Sequence, residues 1–355
     1  MTSSKTTVGI LFGGQSGEHE VSLMSVKSVL AAIDRNRYDV VPIGIDKNGR
    51  WLFENALARL LAGESAPPDA PRWPDPARLT GIDILFPVLH GPYGEDGVVQ
   101  GFFELADIPY VGNGVLASSL AMDKSVSRMV FQAHGLPQIP WQTVSRSQLQ
   151  ATPEYVIARL EGLLDYPMFT KPANLGSSVG IRKAHHRTEL LAGLREAAKH
   201  DIIIVVEQAV PHVREIEVSV MGNEHPRASL PGEIIPSNEF YDYEAKYLSG
   251  SSQERIPAPI SPQLTARVQE MAVRTFKAVQ GSGLARVDFL LNDATGDIFL
   301  NEINTMPGFT EISMFPKLWA ASGIPYPEQI HQLIQLGFER HRQRSSLRPH
   351  PPTQG

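Results

Sequence analysis

Residues 8–12 (VGILF) form an unbroken apolar run, closed by the turn Gly13-Gly14-Gln15-Ser16-Gly17. A short apolar run bounded by turn residues reads as a buried strand. Leu23, Val26, Leu30 and Ile33 then recur at helical spacing, and residues 39–45 and 82–87 are strand-like. This alternation predicts a parallel α/β sheet in a first domain that closes near residue 122. Further helices are predicted over 125–134, ended by Gly135, over 188–200, from Pro262 to a stop at Gly281, and over 327–342. Strands are predicted over 166–172, 202–207 and 215–221. The prolines of 65–76 (SAPPDAPRWPDP) suit only a surface loop. Residues 238–255 (NEFYDYEAKYLSGSSQER) show neither period. Loops of that length are usually functional lids or disordered. Tyr241, Tyr243 and Tyr247 favour an ordered lid, because aromatics seek burial. The tail, 346–355, is predicted to be disordered, and no internal repeat is present.

The densest chemistry falls in residues 284–310 (LARVDFLLNDATGDIFLNEINTMPGFT). Strands over 287–291 and 298–303 flank a polar turn, so the segment predicts a hairpin. Glu302 and Asn304 are two apart and share a face of their strand. Asp288 on the partner strand is placed to oppose them. Two carboxylates and an amide form a hard-oxygen set, suited to Mg²⁺ held together with substrate phosphates and not to Zn²⁺. Arg286 shares the face of Asp288, where a fixed cation suits developing negative charge. An ordinary hairpin with solvated acids is the bland alternative. It leaves unexplained why acid, amide and arginine converge amid apolar neighbours.

Composition narrows the classes. The 355-residue chain is 42% hydrophobic and 20% charged, ordinary for a globular protein of two or three domains. A net charge of -6 without a long basic run argues against a general nucleic-acid binder. With no cysteine, disulfides, thiolate chemistry and Cys-based zinc sites are excluded. The first apolar run is too short for a signal sequence or membrane span, which predicts a cytoplasmic protein.

Other candidates are weaker taken singly. Glu18 follows the first strand, at the carboxyl edge where α/β sheets bind ligands. It suits gripping an amine, and equally a plain surface acid. The turn before it lacks G-x-G-x-x-G, which disfavours a dinucleotide oxidoreductase. His90, in His-Gly-Pro-Tyr-Gly-Glu-Asp-Gly97, fits either a ligand site or a hydrogen-bonded structural histidine. Residues 174–180 (NLGSSVG) could wrap phosphates with backbone N–H groups or serve as a bare turn, and they are not a Walker A loop.

Taken in order, GGQSGEHEVSL, HGPYGEDG, MDK, KPANLGSSVG, FYDYEAKYLS, ARVDF and NEINTMPGFT span roughly residues 8–316. Together they resemble the D-alanine–D-alanine ligases of the ATP-grasp superfamily. The resemblance implies an α/β and α+β fold: an N-terminal Rossmann-like (pre-ATP-grasp) domain over 1–122, then a two-part ATP-grasp fold over 123–213 and 214–345. It implies ATP, two Mg²⁺ ions with Mn²⁺ as a substitute, an acyl-phosphate intermediate, and a dipeptide made for peptidoglycan. Asp288, Glu302 and Asn304 would hold the ions. Lys124, Lys171 and Lys246 would reach phosphates, with Ser177 and Ser178 in the loop beside them. Glu207, Gln208, Ala209 and Val210 would form the adenine connector, and Glu215 would meet the ribose. Phe289 and Asn301 would complete the nucleotide contacts.

On the substrate side, Glu18 would take the first ammonium within a triad with Ser177 and Tyr247, and His90 would lie nearby. Arg286 and the Gly308 N–H would form the oxyanion site. Ser313 and the Met314 N–H would bind the second carboxylate. In the related D-alanine–D-lactate ligases the tyrosine at 247 is typically histidine, so the intact FYDYEAKYLS implies the dipeptide product. A homodimer, without nucleic-acid or membrane partners, is the accompanying expectation. A nucleotide-binding regulator without catalysis is the rival of another class, opposed by the complete set Arg286, Asp288, Glu302 and Asn304.

Overall fold

The first apolar run becomes strand β1 (Thr6–Gly13) in the computed structural model, which describes residues 5–72, 76–176, 179–235 and 253–347. Parallel neighbours β2 (Tyr38–Ile45) and β4 (Ile84–Pro87) flank it, and short β3 (Trp51–Leu52) runs antiparallel to β2, in the order β3-β2-β1-β4. Val8, Ile10 and Phe12 enter one apolar cluster and Leu11 another. Both faces are therefore covered, which is why this strand reads as continuous apolar sequence and not as alternation. Helix His19–Ala32 covers the first face with Leu23, Val26 and Val29. The same cluster takes Ile330, Leu333 and Ile334 from the last helix, Tyr326–Ser346. The end of the chain thus completes the core of its beginning. Phe309 is locked into this cluster, with ring centroids 5.6 Å from Phe86 and 5.8 Å from Phe315.

A second, antiparallel sheet has the order β5-β8-β6-β7: β5 (Trp141–Ser145), β6 (Met168–Pro172), β7 (Arg182–Ala184) and β8 (Ile203–Gln208). Helices Pro153–Glu161 and Arg187–His200 pack on it through Leu160, Leu190 and Leu194. Both edge strands were missed by the apolar pattern. Each buries a single side chain, Val144 or Ala184, too little to stand out.

The third sheet joins β12 (Gln253–Arg255), β11 (Gly232–Ile235), β9 (Val213–Gly222), β13 (Gly283–Asn292) and β14 (Ile298–Asn304), with β10 (Arg227–Ala228) on β9. The hairpin is β13–β14. Val287, Phe289 and Leu300 face helix Pro262–Ala278, which contributes Val268, Met271 and Phe276. Pairing slips between Asp288↔Glu302 and Phe289↔Leu300, so Asn301 is the extra residue of a β-bulge. The bulge changes the parity of the strand. Ile298 and Leu300 point into the core, yet past Asn301 it is Ile303 that does so, and Glu302 and Asn304 turn to the opposite face.

Two loop expectations are corrected. Residues 307–314 (PGFTEISM), whose proline and glycine predict a loop, are not loop to their end, because helix Met314–Ala321 begins at the last of them. Residues 253–255 are strand paired with β11, whereas 236–252 and the tail 348–355 lie outside the described residues. Among the described residues, no helix is long and apolar enough to cross a membrane.

Candidate active site

The polar face of the third sheet carries its charges in register. Across β9, β13 and β14, Glu217, Asp288 and Glu302 stand in one row, and Ser219, Arg286 and Asn304 in the next. Glu215 is one pair further along, beside Leu290. Arg286 Nε donates to Asp288 Oδ1 at 2.7 Å and Nη2 to Oδ2 at 2.6 Å, while Glu217 Oε2 lies 3.2 Å from Nε. Burial alone would favour the neutral base. Asp288 and Glu217 outweigh it and hold the guanidinium charged, its pKa well above the ordinary value.

This row borders a cavity of about 570 Å³ whose lining includes Glu18, Glu95, Lys124, Arg286, Glu302 and Ser313. Three carboxylates on adjacent strands against one arginine leave negative charge that suits a hard divalent cation. Asp288, Glu302 and Asn304 fit such an ion by type and by shared face. Each Asp288 oxygen keeps a lone pair beyond its bond to Arg286, and Asn304 Oδ1 already accepts the Met306 N–H at 3.0 Å. Among the described residues no group of three or more His, Cys, Asp or Glu converges at metal distance by itself.

Cations enter from the second sheet and its neighbouring helix. Lys124 starts helix Lys124–Ala133. Its Nζ donates to the Leu175 carbonyl at 2.8 Å and lies 3.5 Å from Glu302 Oε2. Lys171 on β6 meets Glu207 Oε2 at 2.6 Å, and Arg128 Nη2 takes Glu207 Oε1. Burial would raise the Glu207 carboxyl, but Arg128 and Lys171 together hold it below the usual carboxylate range. The Glu207 side chain is therefore a buried counter-ion. The N–H groups of Gln208 and Ala209 go to the carbonyls of Pro140 and Pro167 at 3.0 and 2.8 Å.

Three glycine-bearing turns converge on Glu18. A Cβ on Gly91 would lie 2.8 Å from Glu18 Oε2 at a φ of +74° that favours glycine, and one on Gly176 would lie 3.3 Å from the same oxygen. Glu95 accepts the Gly91 N–H at 2.8 Å. Burial first, and the Glu18 carboxylate second, push Glu95 up to about 8. His90 is buried with both nitrogens engaged: Nδ1 with the Met306 carbonyl at 3.0 Å and Nε2 with Ser25 Oγ at 3.0 Å. Burial holds its pKa below the ordinary histidine value, against the pull of Glu18. Of its two sequence readings, the hydrogen-bonded structural histidine describes these contacts. It ties the first domain to the loop that carries Gly308.

That loop ends in helix Met314–Ala321, whose N-cap is Ser313. Ser313 Oγ lies 2.7 Å from Thr310 Oγ1, and a Cβ on Gly308 would come within 3.1 Å of it. The helix covers the polar face so closely that a Cβ on Gly232 would meet Met314 at 2.6 Å. Its N-terminus, the positive end of the helix dipole, opens on the cavity and is suited to a carboxylate.

The structure thus brings together Glu18, Lys124, Arg286, Glu302, Asn304, Gly308, Ser313 and Met314 around one cavity. Asp288 stands in the row beside it. Phe289 is corrected: alternation along β13 sends it into the opposite core, and Leu290 is its neighbour on the polar face. Asn301 is the bulge residue. Ser177, Ser178, Lys246 and Tyr247 lie outside the described residues. The sequence reading passed over Glu217, Glu95 and Arg128. Glu217 had a signal, since it is two from Glu215 on a strand and so on the same face.

Residues 7–113 match the family model described as D-ala D-ala ligase N-terminus, and residues 130–335 match D-ala D-ala ligase C-terminus. The chain belongs to the D-alanine–D-alanine ligase family. Among relatives named D-alanine–D-alanine ligase, that of Heliobacterium modesticaldum is 49% identical, covering 96% of both chains. That of Natranaerobius thermophilus is 47% identical over 96% of this chain and 97% of its own. Among solved structures, the D-alanine–D-alanine ligase of Coxiella burnetii matches with a TM-score of 0.83 at 36% identity, covering 97% of each chain. The VanG D-Ala:D-Ser ligase of Enterococcus faecalis matches at 0.82 and 34%, over 94% of this chain and 100% of its own. Membership accounts for the ATP-grasp arrangement of the second and third sheets.

Proposed function

We propose that this family member joins two D-alanines into D-alanyl-D-alanine at the expense of ATP, for cell-wall peptidoglycan. The observation that carries the reading is the row Glu217, Asp288 and Glu302 with Arg286 beside it, at a cavity entered by a helix N-terminus. Lys124 and Lys171, joined by Lys246, reach the triphosphate as movable point charges. Glu215 takes the ribose hydroxyls, and the chain around Gln208–Val210 borders the adenine. Asp288, Glu302 and Asn304 would hold two divalent ions, Mg²⁺ or Mn²⁺, whose charge would screen the phosphates during phosphoryl transfer.

Glu18, with Ser177 and Tyr247, holds the ammonium of the first D-alanine. A carboxylate oxygen of that D-alanine attacks the γ-phosphorus and ADP leaves, giving D-alanyl phosphate. Ser313 and the Met314 N–H hold the carboxylate of the second D-alanine, whose amine attacks the acyl carbon. Arg286 and the Gly308 N–H stabilise the tetrahedral oxyanion until phosphate departs. Division near residues 122 and 213, a cytoplasmic location and a homodimer complete the proposal.

A second amine or hydroxyl acceptor is kept in view by the D-Ala:D-Ser ligase neighbour. The test is coupled ADP release with D-alanine alone and with D-serine, D-lactate or L-amino acids added. Rapid ADP release with D-alanine alone supports the reading. Release only with an added acceptor replaces D-alanine as second substrate, and no release with any acid removes the ligase assignment.

A further inference from the structure

Arg128 is among the largest fully buried side chains of the described residues, and a buried arginine requires a reason. Its partner is Glu207, itself buried, and the two carboxylate oxygens are divided: Oε1 goes to Arg128 Nη2, and Oε2 to Lys171 Nζ at 2.6 Å. Gln138 fixes the arginine from the other side. Its Nε2 donates to the Arg128 carbonyl at 2.9 Å, and its Oε1 accepts from Nη1 at 3.4 Å. The cluster holds two cations and one anion. Lys171 is the member with access to solvent, at 13% side-chain exposure against 2% and 1% for Arg128 and Glu207. Lys124 lies one turn before Arg128 on the same helix, and its backbone N–H bonds the Ala173 carbonyl just past β6, at 2.8 Å. The surplus positive charge of the cluster therefore sits on its solvent-reaching member, Lys171.

We propose that Arg128 is a positioning residue for nucleotide binding: by holding one oxygen of Glu207 permanently, it frees Lys171 to turn its ammonium to a phosphate. A buried ion pair broken by removing one member leaves an uncompensated charge, which is costly. With Arg128 present, Glu207 stays paired when Lys171 moves. Without it, Lys171 and Glu207 become a closed neutral pair, and every phosphate contact must first strand a buried carboxylate. The inference rests on the reading that Lys171 meets the phosphates of ATP, and it adds the residue that makes the lysine available.

The test compares binding of ADP and of adenosine by calorimetry in magnesium buffer, because adenosine lacks the phosphates. Wild type should prefer ADP, and K171M should lose much of that preference. Failure of either result defeats the underlying reading. Given both, R128M should cut the ADP-to-adenosine affinity ratio by about tenfold, within the usual range of a coupling between two sites. Adenosine binding should be unchanged and R128K should restore the ratio. E207Q, which removes the charge that ties Lys171 and leaves Arg128 an amide oxygen in its place, should raise the ratio, and it decides the matter should R128M fail to fold. An R128M protein with the wild-type ratio, or an E207Q protein whose ratio is unchanged or falls, overturns the role of Arg128.

Discussion

Arg286 and Asp288, two residues apart on β13, share a face and join by paired hydrogen bonds of 2.7 and 2.6 Å. The arginine thereby neutralises a carboxylate that the mechanism assigns to a metal ion. On the proposed mechanism it has two separable roles, charge compensation in the free protein and oxyanion stabilisation during turnover.

Arg286→Ala should lower kcat by about 10²–10³-fold, the usual scale for a lost oxyanion donor. The same change leaves Glu217, Asp288 and Glu302 without their guanidinium, so Mg²⁺ should bind the nucleotide-free protein more tightly. Steady-state kinetics and calorimetric Mg²⁺ titration read the two effects independently. Unchanged kcat would remove Arg286 from catalysis, and weaker Mg²⁺ binding would contradict the charge argument.

Glu302 lies 3.5 Å from Lys124 and opposite Asp288. Glu302→Gln keeps the shape of the side chain and removes one charge from the row. The Mg²⁺ concentration needed for half-maximal ADP release should rise sharply. An identical titration curve would show that Glu302 holds no essential ion.

Gly308 meets Ser313 so closely that a Cβ would stand 3.1 Å from the hydroxyl oxygen. Gly308→Ala should displace Ser313 by a few tenths of an ångström. The expected result is a roughly tenfold loss of kcat/KM, short of the ~10²-fold cost of a full ångström. KM for the second D-alanine should rise more than KM for the first. An equal rise in both would place Gly308 away from the acceptor.

Glu95 and His90 give stability in the absence of ligand a definite pH dependence. Glu95 is raised from 4.5 to about 8, so across that interval the folded state binds the proton that the unfolded chain has released. Its contribution is full below pH 4.5 and is lost as pH rises to 8. His90 is lowered from 6.5, so below that pH the unfolded chain takes up a proton that the folded protein resists, and stability falls. Above pH 6.5 the contribution of His90 fades within about a unit, while Glu95 goes on titrating to about 8. Urea midpoints should fall over that window in the wild type and stay nearly flat in Glu95→Gln. A variant with the wild-type slope would assign the dependence to another group.

Much of the candidate site's arrangement is legible in the sequence. Arg286, Asp288, Glu302 and Asn304 stand on strands whose apolar residues announce the hairpin. The bulge was legible too, in the spacing of Ile298, Leu300 and Ile303, which steps by two and then by three. Reading that step would have placed Asn301 as the irregular residue. Phe289 shows the limit of a motif: it occupies a family position, yet alternation along β13 sends its side chain into the core. Helix Met314–Ala321 was hidden because Pro316 resembles a breaker, although proline is tolerated in a first helical turn. Arg128 could not be found by local pattern. Its partner Glu207 is 79 residues away, and only the meeting of a helix with β8 makes the pair.

The most direct measurement is anomalous diffraction from crystals grown with ADP and Mn²⁺. Ion peaks bonded to Asp288, Glu302 and Asn304 at about 2.0–2.2 Å, an ordinary distance for small hard ions on oxygen ligands, are the expected result. A nucleotide bound with its ions elsewhere, or these three side chains facing apart with no ion between them, would contradict the account.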